Sequence, residues 1–214
     1  MQWMRHPLYW SDGLTPIFLL PIWSYGTFMG PQVKGIAYRS ALRALEHLRG
    51  LPAVESAISA MSPELADSIR YGTLIAASWY PIEWYRELFT SVVSTTGNNR
   101  GIVHEIGREA ARLDMTGIYR AAFKLLSPQS VLGLSARLFS NYYDTGSVVI
   151  VGSRSGFAQA RWTNCTGFDR NLWGEVFASV EMYLELAGAS QVRTHIVSGA
   201  GLSDDCAELQ AYWT

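Results

Sequence analysis

The spacing of apolar residues changes once along the chain, near Gly146, and this change limits the folds open to it. Before that glycine, apolar residues recur at the three- and four-residue spacing of helices with one buried face. After it they alternate, as in half-buried strands. The chain therefore lacks the regular strand-helix alternation of a parallel sheet. The sequence predicts an α+β fold in which an N-terminal helical layer packs on a C-terminal antiparallel sheet.

Capping residues and prolines mark where the helices of the first part begin. Ser62-Pro63 and Ser127-Pro128 each place an N-cap residue before a first-turn proline. Together with the apolar stripes, these signals predict helices at 38–49, from Pro63 to Ile69, from Pro81 to just before Gly97, from Gly101 to Leu113 and from Pro128 onward.

The part after Gly146 predicts a β-β-α-β-β unit. Two strands joined by a glycine-containing loop form a hairpin, and a helix capped by Asp169 ends at Gly188. Two further strands follow, linked by a flexible glycine turn. The predicted strands are Ser147 to Val151, Phe157 to Thr163, Gln191 to Val197 and Cys206 to Trp213.

Composition predicts one domain over residues 29–214, preceded by a non-core extension at 1–28. The 214 residues are 49% apolar, which is enough to fill one hydrophobic core. Their net charge of −1 provides no positive electrostatic potential to attract nucleic acid. Pro16 and Pro21 interrupt the apolar run in the extension, which predicts no transmembrane segment. An interfacial anchor is the alternative there. Two distant cysteines, Cys165 and Cys206, favour a reducing, cytoplasmic location.

The sequence predicts no catalytic and no metal site. The run from Gly152 to Gly156 has the outline of a nucleophile elbow, but Arg154 occupies the nucleophile position, so a hairpin turn is the interpretation. His104-Glu105 begins like a zinc-binding helix, but Arg108 stands where the second histidine belongs. His104 is interpreted as a helix histidine at the edge of the core. An acid/base pair that assembles only in three dimensions stays open.

Eight tryptophans and eleven tyrosines are the conspicuous feature of the composition. Such rings fill cores, and they also line small-molecule cavities. Trp79 is expected to pack under the helix that Pro81 begins. The neighbouring rings in Trp84-Tyr85 and Tyr142-Tyr143 point about 100° apart on a helix, so one core cannot cover both members of each pair. This surplus predicts a homodimer through the helical layer, or a ligand cavity.

Several short segments together give the chain, from about Val33 to Trp213, a family resemblance. It resembles the myxobacterial paralogous family of uncharacterised domains. The segments that carry the resemblance are Val33-Lys34-Gly35, Ser78 to Pro81, Ile106 to Ala111, Ser127-Pro128, Asp144-Thr145-Gly146, and the glycine turn with Cys206 and Trp213.

That family is similar in fold to the 4-vinyl-reductase-type sensor domains, the TRAPP subunits and the haem-nitric-oxide sensor domains. The resemblance implies a helical layer over an antiparallel sheet, an apolar pocket and frequent dimerisation. The haem sensors use a proximal histidine and a Tyr-x-Ser-x-Arg motif, whereas here Ser153-Arg154-Ser155 lacks the tyrosine spacing. The cysteine and histidine metal site of the 4-vinyl-reductase type has no counterpart.

These observations favour a non-enzymatic regulatory module without a cofactor. Its partner is expected to be a small apolar ligand or another protein. The alternatives are a haem or gas sensor that uses His104 as the haem ligand, and an enzyme with an unrecognised site.

Overall fold

The computed structural model describes residues 30–115 and 126–214, and these form seven helices and six strands. The helices are α1 (Gly35–Arg49), α2 (Leu51–Ser59), α3 (Pro63–Arg70), α4 (Ile82–Thr95), α5 (Gly101–Asp114), α6 (Pro128–Tyr142) and α7 (Arg170–Leu186). The strands are β1 (Gln32–Lys34), β2 (Trp79–Pro81), β3 (Ser147–Arg154), β4 (Phe157–Thr163), β5 (Arg193–Gly199) and β6 (Ala207–Tyr212). The extension predicted at 1–28 lies outside the described residues.

The predicted β-β-α-β-β unit is confirmed as an antiparallel sheet with strand order β3-β4-β6-β5. Helix α7 connects β4 to β5. The two central strands alternate as a half-buried sheet requires. Their inward residues are buried: Ala158, Ala160 and Trp162 on β4, and Ala207, Leu209 and Ala211 on β6. The helical layer covers this face, so the α+β fold class predicted from the sequence is correct.

A small second sheet holds the helical layer together. Strand β1 pairs with β2, with Val33 opposite Tyr80, and Val33 also bridges to Tyr143 just after α6. The side chain of Val33 is fully buried. Since β1 leads directly into α1 and β2 into α4, this pairing fixes the starts of two helices and the end of a third.

Helices α5 and α7 approach each other closely at Gly107. A Cβ atom at this position would lie 2.5 Å from the carbonyl oxygen of Glu175, so only glycine allows the observed spacing. The hydroxyl of Ser179 donates a hydrogen bond of 3.1 Å to the Gly107 carbonyl oxygen. This contact sets Glu175 and Ser179 against α5.

The predicted helix starts agree with the structure within one residue, except that α1 begins at Gly35 and not at residue 38. One cap also differs in its chemistry. The Asp169 carboxylate accepts hydrogen bonds from the backbone N–H groups of Asn171 and Leu172, and Ser127 Oγ accepts from the Ser130 N–H at 3.2 Å. Ser62 makes no side-chain cap bond to α3. Its hydroxyl donates to Glu87 instead, at 3.0 Å, because α4 packs beside this turn.

The expectation that Trp79 is buried under α4 is wrong. Its side chain is 36% exposed, and the Lys34 ammonium lies 5.2 Å from its ring centroid. Pro81 favours the extended conformation of Tyr80, as expected, but this conformation pairs β2 with β1 and sets Trp79 opposite Lys34. Ile82, fully buried, fills the core at the start of α4.

Candidate ligand cavity

A cavity of about 90 Å³ lies between the helical layer and the inward face of the sheet. Helices α1, α4, α5, α6 and α7 contribute to its walls, together with strands β3 and β4. The aliphatic part of the wall includes Ala110, Val148, Ile150, Ala160, Val176 and Val180. A concave, mostly apolar space between helices and sheet is the usual form of a small-molecule site.

Strand pairing places the sheet side of the wall. Val148 lies opposite Trp162 and Ile150 opposite Ala160 in the β3-β4 ladder. Residues two apart on a strand share a face, so all four side chains meet the same space. The alternation that predicted these strands from the sequence also builds this wall.

Aromatic residues of α4 and α6 form the opposite side. Phe139 stacks on Tyr143 with ring centroids 4.9 Å apart, and Tyr85 lies 6.5 Å from Tyr143. Ala136, Phe139 and Tyr143 follow the three- and four-residue spacing of one helix face. Ala136 and Tyr142, both half-buried, also line the cavity.

The second rings of the two aromatic pairs have partners within this chain. Trp84 stacks on Tyr80 with ring centroids 5.9 Å apart, and Tyr142 lines the cavity, while Tyr85 and Tyr143 fill the core. The surplus aromatics that predicted a homodimer are therefore accounted for by a stack and a cavity. The homodimer itself stays a prediction.

Glu175 on α7 is the central polar group of the cavity. Its carboxylate accepts a hydrogen bond of 3.1 Å from the Tyr143 hydroxyl. Ser179 Oγ lies 3.3 Å from the other carboxylate oxygen but also donates to the Gly107 carbonyl, and a hydroxyl has one proton to give. Glu175 thus has one unshared donor and one shared donor, both neutral.

Burial raises the pKa of Glu175 to about 7. The hydrogen bonds from Tyr143 and Ser179 lower it only in part, and repulsion from Asp114 raises it further. Near neutral pH the carboxyl is consequently present in both protonation states, and its charge responds to whatever occupies the cavity.

Asp114, the last residue of α5, is the second carboxylate in the wall. The Ser40 hydroxyl lies 2.9 and 2.8 Å from its two oxygens. Burial raises its pKa, although the Ser40 hydrogen bond and the attraction of Arg43 act in the opposite direction. Among the described residues that line the cavity there is no lysine, arginine or histidine, so the ionisable groups that these residues supply are the two carboxyls and the tyrosine phenols.

The tyrosines of the wall are neutral hydrogen-bonding groups. Burial, and after it the nearby carboxylates, raise the pKa of Tyr142 to about 12. Burial and Glu175 raise the pKa values of Tyr85 and Tyr143 well above the ordinary value. None of these three phenols ionises near neutral pH.

Trp162 contributes a polar atom that has no hydrogen-bond partner among the described residues. Its side chain is 2% exposed and lines the cavity, and its indole N–H makes no hydrogen bond within the described structure. Buried donors are nearly always paired, and a buried donor without a protein partner is commonly satisfied by a water or by a bound acceptor. The other large indole of this region, Trp173, donates to the Asp204 carbonyl at 3.3 Å.

His104, the residue predicted to hold haem if haem is bound, does not line the cavity. Its side chain is 47% exposed, and its Nε2 atom lies 2.9 Å from Glu181 on α7. Glu181 also accepts from Arg108 at 3.2 Å. Burial acts to raise the pKa of Glu181, but hydrogen bonds from His104 and Thr194 and the attraction of Arg108 lower it overall. The structure thus places His104 in an ion-pair network between α5 and α7.

The described wall of the cavity does not fit haem. It contains no histidine, cysteine or methionine, the residues that most commonly hold haem iron. A cavity of about 90 Å³ is also smaller than one that takes up benzene. Arg154, the arginine of the Ser-Arg-Ser run, lies over the Phe157 ring at 4.9 Å, next to the tight β3-β4 turn.

Within the described ranges, no group of three or more histidine, cysteine or acidic residues could hold a metal ion. Cys165 is buried, and burial raises the pKa of its thiol to about 12, so it is a poor nucleophile. In the same ranges, no helix combines the length and the apolar character needed to cross a membrane.

Glu175 and Trp162, the polar residues that define the cavity, were not singled out as site residues from the sequence. Glu175 lies three residues after Leu172 and one before Val176, both buried residues of α7. An acidic residue at this position interrupts the apolar stripe of the helix. That interruption, with Ser179 four residues later on the same face, is the one local signal that could have found it.

No protein-family model matches the sequence, and neither does any curated protein. Solved structures do resemble it. The Fe(II) unliganded H-NOX protein from K. algicida superposes with a TM-score of 0.62 at 12% identity, over 85% of this chain and 96% of that chain. An oxygen-binding H-NOX domain related to soluble guanylate cyclases, solved as its oxygen complex, gives a TM-score of 0.62 at 12% identity, over 85% and 95%.

This likeness agrees with the fold group that the sequence resemblance named, through its haem-nitric-oxide-sensor member. Membership of the myxobacterial paralogous family stays a prediction. At 12% identity the comparison establishes architecture and not chemistry. In its architecture, the chain has the fold of the H-NOX domains.

Proposed function

We propose that this chain is a small-molecule-binding module with a regulatory, non-catalytic role. The cavity between helices and sheet carries the proposal, because its wall is largely apolar and a few polar groups converge on it. A ligand there would touch five helices and two strands at once. A ligand that binds only the folded state stabilises it, and here that stabilisation would reach most of the domain.

A neutral probe of matching size tests the cavity without assuming the natural ligand. We expect n-butanol to bind in the millimolar range and to shift amide resonances of cavity residues in a heteronuclear NMR titration. The methyl and aromatic signals of Ala160, Val176 and Phe139 should respond first, since these residues line the space.

A blocking variant separates cavity binding from surface binding. Ala136→Phe places a ring at a half-buried position of the wall on α6, whereas Ala53→Phe adds the same ring at a half-buried position on α2, outside the wall. Ala136→Phe should abolish the n-butanol response, and Ala53→Phe should keep it. An unchanged titration of Ala136→Phe would refute the cavity as the binding site.

Haem binding is the second candidate function, favoured by the fold shared with an oxygen-binding H-NOX domain. In that case a haem ligand such as His104 would have to reach the iron. Titration of the purified protein with haemin should give no Soret band beyond that of free haemin if the small-ligand proposal is correct. A saturable Soret band that His104→Ala removes would support the haem candidate instead.

A further inference from the structure

We propose that the ligand of this cavity is a small organic amine that also carries a hydrogen-bond acceptor. Its protonated nitrogen would be held by Glu175 and Asp114, and its acceptor would take the indole N–H of Trp162. This inference rests on the proposed function, since it names the chemical class that the same cavity would bind.

The carboxylates have room for a cationic donor. A carboxylate offers about four lone-pair sites, yet Glu175 receives one hydrogen bond from Tyr143 and a shared one from Ser179. Among the described residues, the Ser40 hydroxyl is the one hydrogen-bond donor to Asp114. All these donors are neutral, and the described wall supplies no cation. An ammonium group brings three N–H donors and the missing positive charge.

The aromatic residues of the wall also favour an ammonium group. Tyr85, Phe139 and Tyr142 line the space together with the carboxylates. Aromatic rings attract cations through their negative faces, and the attraction grows when the cation is desolvated. An anionic ligand would instead meet two carboxylates of like charge, which raises the cost of binding.

Trp162 is an independent observation that points to a ligand. Trp162 lines the cavity, and its indole N–H is buried and has no hydrogen-bond partner among the described residues. It lies on β4, while the carboxylates lie on α5 and α7, so the cavity presents a donor and acceptors from different elements. Because the indole nitrogen can only donate, its partner must be an acceptor such as an ether, hydroxyl or carbonyl oxygen.

A charge series with nearly constant shape tests the amine. At pH 8, n-butylamine is protonated, like a lysine side chain, and we expect it to bind about tenfold more tightly than n-butanol, with butyrate the weakest of the three. Equal affinities of n-butylamine and n-butanol would overturn the inference while leaving the cavity proposal intact. Failure of all three probes to bind would refute the proposed function itself.

Two variants test whether Glu175 causes the preference for n-butylamine over n-butanol. Glu175→Gln should bring the affinity ratio of n-butylamine to n-butanol toward one, whereas Glu185→Gln, on the same helix but outside the cavity wall, should keep it. A ratio that survives Glu175→Gln would overturn the assignment of the carboxylate.

The acceptor is tested by 2-methoxyethylamine, which replaces one methylene of n-butylamine by an ether oxygen. We expect it to bind more tightly than n-butylamine to the unmodified protein and to lose that advantage in Trp162→Phe. The absence of any advantage in the unmodified protein would overturn the acceptor half of the inference.

Discussion

Glu175→Gln should stabilise the protein, and by an amount that grows with pH. Burial raises the pKa of Glu175 from 4.5 to about 7. Below pH 4.5 both the folded and the unfolded states hold the proton, so the carboxyl contributes no penalty. Between these two values the folded protein keeps a proton that the unfolded chain has released, so the stability of the unmodified protein falls as pH rises.

The magnitude follows from the shift. A change from 4.5 to about 7, at 1.36 kcal/mol per pKa unit, corresponds to about 3 kcal/mol, fully present above pH 7. Glutamine keeps a side-chain carbonyl that can accept from Tyr143, so little else is lost. The gain in the free energy of unfolding should therefore be near zero at pH 4.5 and about 3 kcal/mol at pH 8.

Urea denaturation from pH 4.5 to 8.5, followed by tryptophan fluorescence, measures this difference. Glu185→Gln is the matched control, because it removes a carboxylate of the same helix that pairs with Arg108 at the surface. Its effect should be small at every pH in this range. If the Glu175→Gln effect stayed constant with pH, Glu175 would not titrate inside the cavity with a raised pKa.

Four further predictions test the packing. Gly107→Ala should destabilise the protein by about 2 kcal/mol or more, because its Cβ would lie 2.5 Å from a carbonyl oxygen. Gly133→Ala has open space around its Cβ and should stabilise the protein by about 0.5 kcal/mol. Thermal unfolding of the two variants measures both effects, and equal effects would contradict the close contact between α5 and α7. Trp162→Phe should cost less than Trp173→Phe in urea denaturation, because only Trp173 loses a hydrogen bond; the reverse order would show that the Trp162 N–H is paired. Trp79→Ala should cost about 1 to 2 kcal/mol in urea denaturation, less than the roughly 3 to 5 kcal/mol of a fully buried ring, because about a third of the side chain is exposed. A cost in the range of a fully buried ring would support the expectation that Trp79 packs under α4. The homodimer is checked by sedimentation at micromolar concentration, where a monomeric mass throughout would contradict it.

The fold was accessible from the sequence because its determinants are local. Asp169 caps α7 with its own carboxylate, Pro128 occupies the first turn of α6, and the two-residue alternation of β4 survives in its buried face. Each signal acts within a few residues. Helix α2 (Leu51–Ser59) was not singled out, since Gly50 and Pro52 suggest a break and only the packing on α4 completes its buried face.

The site was less accessible, because it is made by residues that no local pattern connects. Ser40 reaches Asp114 across 74 positions of sequence, and Tyr143 reaches Glu175 across 32. Whether an acidic residue within an apolar stripe faces solvent or a cavity depends on what packs opposite, here Gly107. His104, by contrast, was considered as a haem ligand because of its residue type. Its contact with Glu181 on α7 depends on how the helices pack and cannot be read from the sequence.

The most direct test of the cavity as an amine site is a crystal structure of the protein soaked with n-butylamine at pH 8. We expect density for the ligand between α5, α6, α7 and the sheet, with its nitrogen within hydrogen-bond distance of Glu175 or Asp114. A crystal that shows only water in this cavity at saturating n-butylamine would contradict the assignment of the cavity as an amine site.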